Sequence, residues 1–263
     1  MRYCVLASGS RANATLVEAR GMRLLIDAGL SARALEQNLK AIDIAPESLD
    51  GILITHEHTD HVGGLDRFVK KYNTPVFANY NTAAAVERQC LCAKREAPEF
   101  TWFESGLPFM LGELTLTPVP IPHDTAEPVA YTIDDGQHRL GYFTDLGHVT
   151  ENVAQAISGC TALVLESNHD LQMLRNSGRG FQLISRISGR AGHLSNDQAC
   201  EAVAMYASSE LRTLTLAHLS RDCNQPELAA YMMQGTLKHI GRTDISLSIA
   251  KQDEALPFTE LTP

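Results

Sequence analysis

A chain of 263 residues, 44% hydrophobic and 20% charged, is long enough and apolar enough to bury one substantial core. Its formal net charge of −9 gives no general attraction to nucleic acid or to an anionic membrane, so a polyanionic substrate would have to be held by a local basic patch or by bound cations. No apolar run approaches the ~18 residues of a membrane span, the N-terminus lacks a signal-peptide pattern, and six cysteines without a CxxC pair read as reduced thiols, which together suit a cytoplasmic protein.

Tyr3–Ala7, Ala14–Glu18 and Met22–Asp27 read as a β-meander, interrupted by the turn-rich Ser8–Asn13 and by Arg20-Gly21. Ser31 is placed to cap a helix over residues 32–41. Asp27, closing an apolar strand, is either a turn residue or a buried carboxylate that orients ligand histidines through hydrogen bonds. The densest stretch follows, Gly51-Ile-Leu-Ile-Thr-His56-Glu-His58-Thr-Asp60-His61-Val-Gly-Gly64. Residues two apart on an extended chain point the same way, so His56 and His58 can grip one cation. Asp60 and His61 lie where the chain turns into a helix and can serve a second.

Leu65–Tyr72 and Thr82–Gln89 read as helices, and Pro75–Ala78, Thr101–Glu104 and Leu114–Thr117 as strands. Pro118-Val-Pro-Ile-Pro122 cannot be hydrogen-bonded on both sides throughout, so it reads as a stiff extended arm that delivers His123 as third ligand to the first cation. Val129–Ile133 and His138–Phe143 form a hairpin around Asp134-Asp-Gly136. It ends at Asp145, a carboxylate placed to bridge two cations. A helix over Glu151–Ile157 and a strand over Ala162–Leu165 lead to Glu166 at the strand end.

Residues 169–193 are less regular and carry Arg175, Arg179, Arg186 and Arg190 against the single acid Asp170. This is either a solvated face or a phosphate-gripping surface, with Arg179 and Arg186 as the contacts to test. His169 is open between a hydrogen-bonded support and a phosphate contact. Ser195 and Gln198 fit a capping box for a helix over residues 196–207, and this presents His193 beside a helix N-terminus, a natural anion site. Thr213–Ala217 reads as a strand ending at His218, residues 227–238 as the last helix, and Ile245–Ile249 as a sheet edge. Each half runs strands then helices, with strands ending in an acid or a histidine, which hints at a pseudo-twofold sandwich with the site at its rim.

Leu25-Ile-Asp27, His56-x-His58-x-Asp60-His61, His123, Asp145 and His218 occur in the order of the five motifs of the metallo-β-lactamase superfamily, which the chain resembles over essentially its whole length. Ala7-Ser-Gly-Ser10 with Asn13, Glu166-Ser-Asn-His169-Asp170, Gly192-His193-Leu-Ser195-Asn196 and Ala217-His218-Leu-Ser220 are similar to the YycJ/WalJ-type metallo-hydrolases, single-domain 5′→3′ DNA exonucleases, and to the tRNase Z group. The resemblance implies an α/β fold of four layers, an αββα sandwich, formed by residues 1–263 as one domain. It also implies two divalent ions, zinc or manganese, with iron possible. His56, His58 and His123 would hold one and Asp60, His61 and His218 the other, with Asp145 between them, about 3.5–4 Å apart. Asp60 would share the proton of the attacking water. His193 would stabilise a phosphate oxygen or protonate the leaving oxygen. Glu166, Ser195 and Asn196 would support the site. The implied activity is phosphodiester hydrolysis, foremost at DNA ends from 5′ to 3′, with nucleic acid as substrate, no membrane, and no protein partner to be read from the residues. A small-molecule or cyclic phosphodiesterase and a glyoxalase II-like thioesterase are the alternatives on the same ligands.

Overall fold

Two long apolar series of strands dominate the chain, and a computed structural model, which describes residues 1–261, arranges them as two seven-stranded sheets. The first half lays down β1 (Arg2–Ala7), β2 (Ala14–Ala19), β3 (Met22–Ile26), α1 (Ala32–Ala41), β4 (Gly51–Leu53), α2 (Thr59–Val62), α3 (Leu65–Tyr72), β5 (Val76–Asn79), α4 (Tyr80–Cys92) and β6 (Phe100–Phe103). The second half follows with β7 (Phe109–Leu111), β8 (Leu114–Pro120), β9 (Val129–Asp134), β10 (Arg139–Phe143), α5 (Glu151–Ser158), β11 (Ala162–Glu166), α6 (Leu171–Arg175) and α7 (Phe181–Ile187). Then come α8 (Asn196–Tyr206), β12 (Thr213–Ala217), α9 (Pro226–His239), β13 (Ser246–Ile249) and β14 (Thr259–Glu260).

Strand orders are β14-β1-β2-β3-β4-β5-β6 and β13-β12-β11-β10-β9-β8-β7. Each sheet is antiparallel on one side and parallel on the other, from β3 to β6 and from β10 to β13. The parallel strands are covered on both faces, which is why they read as unbroken apolar runs rather than as alternation. Val5, Leu24 and Leu53 of one sheet meet Leu116, Tyr131 and Val164 of the other between the sheets. The outer faces pack Leu25 and Ile52 against Leu35 and Phe68 of α1 and α3, and Leu163 and Leu214 against Ile157 and Val203 of α5 and α8. The layers are therefore αββα. No helix among the described residues is long and apolar enough to cross a membrane.

Three local differences from the sequence expectation have physical causes. Pro118 and Pro120 lie within β8, not in an arm beyond it: the ladder to β9 continues through both prolines, whereas pairing with β7 stops at Leu116. The missing N–H groups thus fall on the open side of the strand, where proline is tolerated. Residues 171–187 hold two short helices, α6 and α7, of five and seven residues, too short for a helical period to stand out in the sequence. The edge strands β7 and β14 are three and two residues long, too short for a pattern.

After β3 the chain must pass under the histidine-rich loop, and only glycine fits there. A Cβ on Gly29 would lie 1.6 Å from the Asp60 carbonyl oxygen and 2.8 Å from the Asn13 nitrogen. Both neighbours are backbone, so neither can rotate away. Gly29→Ala is expected to cost about 2 kcal/mol or more, a fall of roughly 4–8 °C in a thermal melt. An unchanged melt would mean that the loop holding Asp60 is softer than this close packing implies.

Candidate metal centre

The carboxyl ends of the parallel strands in both sheets deliver the polar side chains, as open α/β sheets do for their ligands. Asp27 follows β3, the segment Ile54–His58 follows β4, Asp145 follows β10, Glu166 ends β11 and His218 follows β12. Asp27, Asp145 and His218 each adopt the left-handed backbone region, with φ of 62°, 56° and 55°. Asp and His tolerate that region better than most residues, but it is strained, and three such residues on one rim mark where the fold bends the chain to aim side chains inward.

Two trios form. In the first, the ring centroids of His56, His58 and His123 lie 4.8, 5.1 and 5.1 Å apart pairwise. In the second, Asp60 Oδ2 is 3.4 Å from His61 Nε2 and 3.6 Å from His218 Nε2. Asp145 stands between them: Oδ2 is 3.1 Å from His61 Nε2, while Oδ1 is 3.5 Å from His218 Nε2 and 3.7 Å from His123 Nε2. Each trio has donor atoms within 4.8 Å of one another, as do His56, His61 and Asp145.

Among the described residues, His56 Nε2, His218 Nε2 and Asp145 Oδ2 are buried without a hydrogen-bond partner. Orphaned buried polar atoms are costly and rare, and here all three turn toward the same space. The charges agree. Burial opposes a proton on His61, yet Asp27, Asp145 and Asp60 together hold it well above its ordinary value. Likewise burial opposes a proton on His218, but Asp145, Asp60 and Glu166 raise it to about 10. His56, deeply buried and beside His61, is pushed well down. The pocket is built to attract positive charge and to offer lone pairs to it, and imidazole with carboxylate is the donor set of zinc, manganese or iron.

Behind the trios, buried groups fix the rings. His61 Nδ1 lies 2.7 Å from Asp27 Oδ2, and Thr55 donates to the same carboxylate from its backbone N–H at 2.9 Å and from its hydroxyl. Desolvation pushes Asp27 upward, against the pull of His61 and Thr55. Asn13 spans the loop: its N–H donates to the Asp60 carbonyl at 2.7 Å, and its side chain reaches Asp60 Oδ2 at 3.2 Å and His61 Nε2 at 3.0 Å. Carboxylate–imidazole support of this kind commonly tunes metal affinity 10–100-fold. Asp27→Asn should therefore weaken divalent-ion binding by about 10- to 100-fold in competition with a chromophoric chelator; unaltered affinity would remove Asp27 from the site.

Glu166 is fully buried and accepts four times. Oε1 meets His193 Nδ1 at 2.8 Å and His218 Nδ1 at 2.9 Å, while Oε2 takes the backbone N–H of Leu146 at 2.8 Å and of Leu194 at 3.0 Å. Burial alone would raise its pKa, but these partners hold it near 2. With Nδ1 engaged by Glu166, Nε2 is the ring nitrogen of His193 left for other partners. Its ring stacks on His218 at 5.3 Å, and its side chain is 21% exposed to the cleft.

The other residues singled out from the sequence divide. Arg186 lines the cleft and pairs with Asp124. Arg179 does not line it; its guanidinium is taken up by Asp222 and by Cys223 Sγ. Ser195 caps α8 in the capping box with Gln198. Asn196 bonds Ser167 and Asn224 in the buried layer beneath. His169 is fully buried and meets Asn168 Oδ1 at 3.3 Å. None of these last three lines the cleft. Asn13 and Thr55 were not singled out as site residues from the sequence, because their role rests on contacts across 28–48 positions of chain. Asn13 had a signal in the sequence, as part of the motif it forms with Ala7–Ser10, shared with the YycJ/WalJ-type group, but that motif did not say what it touches.

Comparison with known proteins supplies the context. The family described as "Beta-lactamase superfamily domain" matches residues 22–218. Exodeoxyribonuclease YycJ of Bacillus anthracis is 36% identical over 241 residues, covering 92% of this chain and 90% of its own length. Exodeoxyribonuclease WalJ of Streptococcus pneumoniae is 31% identical over 266 residues, covering 99% and 98%. Among solved structures, the metallo-β-lactamase fold protein YhfI from Bacillus subtilis superposes with a TM-score of 0.71 at 16% identity, covering 97% of this chain and 99% of that one.

Proposed function

The chain belongs to the metallo-β-lactamase superfamily and is a metal-dependent hydrolase; from that premise we propose that it is a dinuclear phosphodiesterase acting on DNA ends, removing nucleotides from 5′ to 3′, as one domain over residues 1–263 in the cytoplasm. The observation that carries this reading is the pairing of two donor trios around one carboxylate, Asp145, with unpartnered Nε2 atoms in both. His56, His58 and His123 would hold one ion; Asp60, His61 and His218 the other; Asp145 would contact both. Two divalent ions so held would lower the pKa of a water between them and offset charge on an anionic phosphodiester.

The chain's own groups do the rest. Asp60 Oδ2 is the partly exposed carboxylate beside this centre and accepts the proton of the attacking water. His193, held by Glu166, presents Nε2 to the cleft and delivers a proton to the leaving oxygen. Arg186, on the cleft rim, adds positive charge where a polyanion must enter a chain of net −9. The substrate class leans on the full-length relatives named exodeoxyribonucleases.

Single- and double-stranded DNA and RNA, labelled at either the 5′ or the 3′ end, together with bis-p-nitrophenyl phosphate and a glutathione thioester, test the reading. Mononucleotide release from the 5′ end of DNA is expected. Turnover of the thioester alone, or of small diesters with no dependence on chain length, would refute it.

A further inference from the structure

The helix α7 buries none of its residues, so the core does not explain its place. It stands on the rim of the metal cleft, a cavity of about 220 Å³, and Leu183, Arg186 and Ile187 line that cavity opposite His58, Asp60 and His218. These three positions share one helical face by their spacing. Leu183 is 42% exposed, an apolar group left facing water beside an otherwise polar centre. The C-terminal end of α7 is tied into the site itself. His193 N–H donates to the Ile187 carbonyl at 2.8 Å, and the Gly192 carbonyl meets His123 Nδ1 at 3.1 Å. A Cβ on Gly192 would fall 2.2 Å from the carbonyl oxygens of both Arg186 and Ile187, so this junction is packed backbone on backbone. The wall is therefore held in register with the ligand His123 and with His193.

Resting on the phosphodiesterase reading, we propose that α7 is the wall that receives the terminal nucleobase of an unpaired strand end: Leu183 and Ile187 cover its face while its phosphate lies over the donor trios. Neither side chain carries a hydrogen-bonding group, so the wall reads apolar area and not base identity. Arg186 complements the wall. Its bond to Asp124 is a partly exposed ion pair of the kind that contributes little, so a phosphate, which suits the guanidinium fork, can replace Asp124 when a strand enters.

The holoenzyme tests this with single strands whose terminal nucleotide, at the end attacked, carries either a base or an abasic tetrahydrofuran. The wild type is expected to prefer the base-bearing end by about fivefold or more in kcat/KM, as covering roughly half of a leucine side chain would give, and by similar factors for all four bases. Leu183→Ala should lower that preference severalfold through KM, leaving the part that Ile187 supplies, and change the rate on the abasic end far less. Leu183→Met should restore the preference, because it restores apolar area. Equal wild-type rates on both ends, or a Leu183→Ala loss shared equally by both, would overturn the inference while leaving the nuclease reading intact. A wild type that hydrolyses small diesters but no oligonucleotide would overturn the nuclease reading, and the inference with it.

Discussion

Asp145→Asn is expected to reduce hydrolysis at least about a thousandfold with the far-UV circular dichroism near native. The carboxylate is 2% exposed and lies within 3.7 Å of His61, His123 and His218 together. Removing its charge takes the shared anion from between the two donor trios and leaves histidines facing one another. A metal centre contributes several kcal/mol to the transition state, and each 1.4 kcal/mol is tenfold in rate. Asparagine is the informative substitution because it tolerates the left-handed backbone that Asp145 adopts, with φ of 56°. Asp145→Ala would add backbone strain to the lost ligand and blur the two. His218→Ala should behave similarly in rate, although it also removes one partner of Glu166 and strains a backbone held at φ of 55°. Full turnover by either variant in metal-controlled buffer would refute the proposed ligand set.

A second large effect is expected at His193, and it should depend on the leaving group. On an oligonucleotide, where a poor alkoxide departs, His193→Ala should lower kcat by roughly 10²–10⁴-fold, the usual contribution of a positioned proton donor. On a p-nitrophenyl ester the departing oxygen needs no proton, so the loss should shrink to a few-fold. The geometry behind this contrast is the Glu166 carboxylate, which holds His193 Nδ1 at 2.8 Å and raises its pKa against the cost of burial. Equal losses on both substrates would instead assign His193 to stabilising a phosphate oxygen.

How much of this was legible in the sequence differs by residue. His56 and His58 are two apart after an apolar strand, so their pairing follows from the period of an extended chain, whereas Asp60 and His61 lie in the short helix α2 that follows and aim at the other trio. Asp145 and Glu166 were readable as polar residues ending apolar strands, and His123 as the terminus of a proline-stiffened segment. The sandwich was readable because both-sides-buried strands leave unbroken apolar runs. Other features had no local signal. The left-handed turns at Asp27, Asp145 and His218 are imposed by packing around the rim. Thr55 and Asn13 act through bonds to residues far away in the chain. Arg179 and Arg186 look alike in sequence, yet only Arg186 reaches the cleft, because Asp222 and Cys223 occupy Arg179. The helix α7 was missed because its seven residues make barely two turns, too short for a helical period to stand out.

The central claim, two neighbouring ions on two trios of one chain, is tested most directly by an anomalous difference map from crystals of the metal-loaded protein, collected at the absorption edge of the bound metal. Two peaks are expected, one among His56, His58 and His123, the other among Asp60, His61 and His218, with the Asp145 carboxylate touching both. One peak only, or a peak away from these side chains, would contradict it.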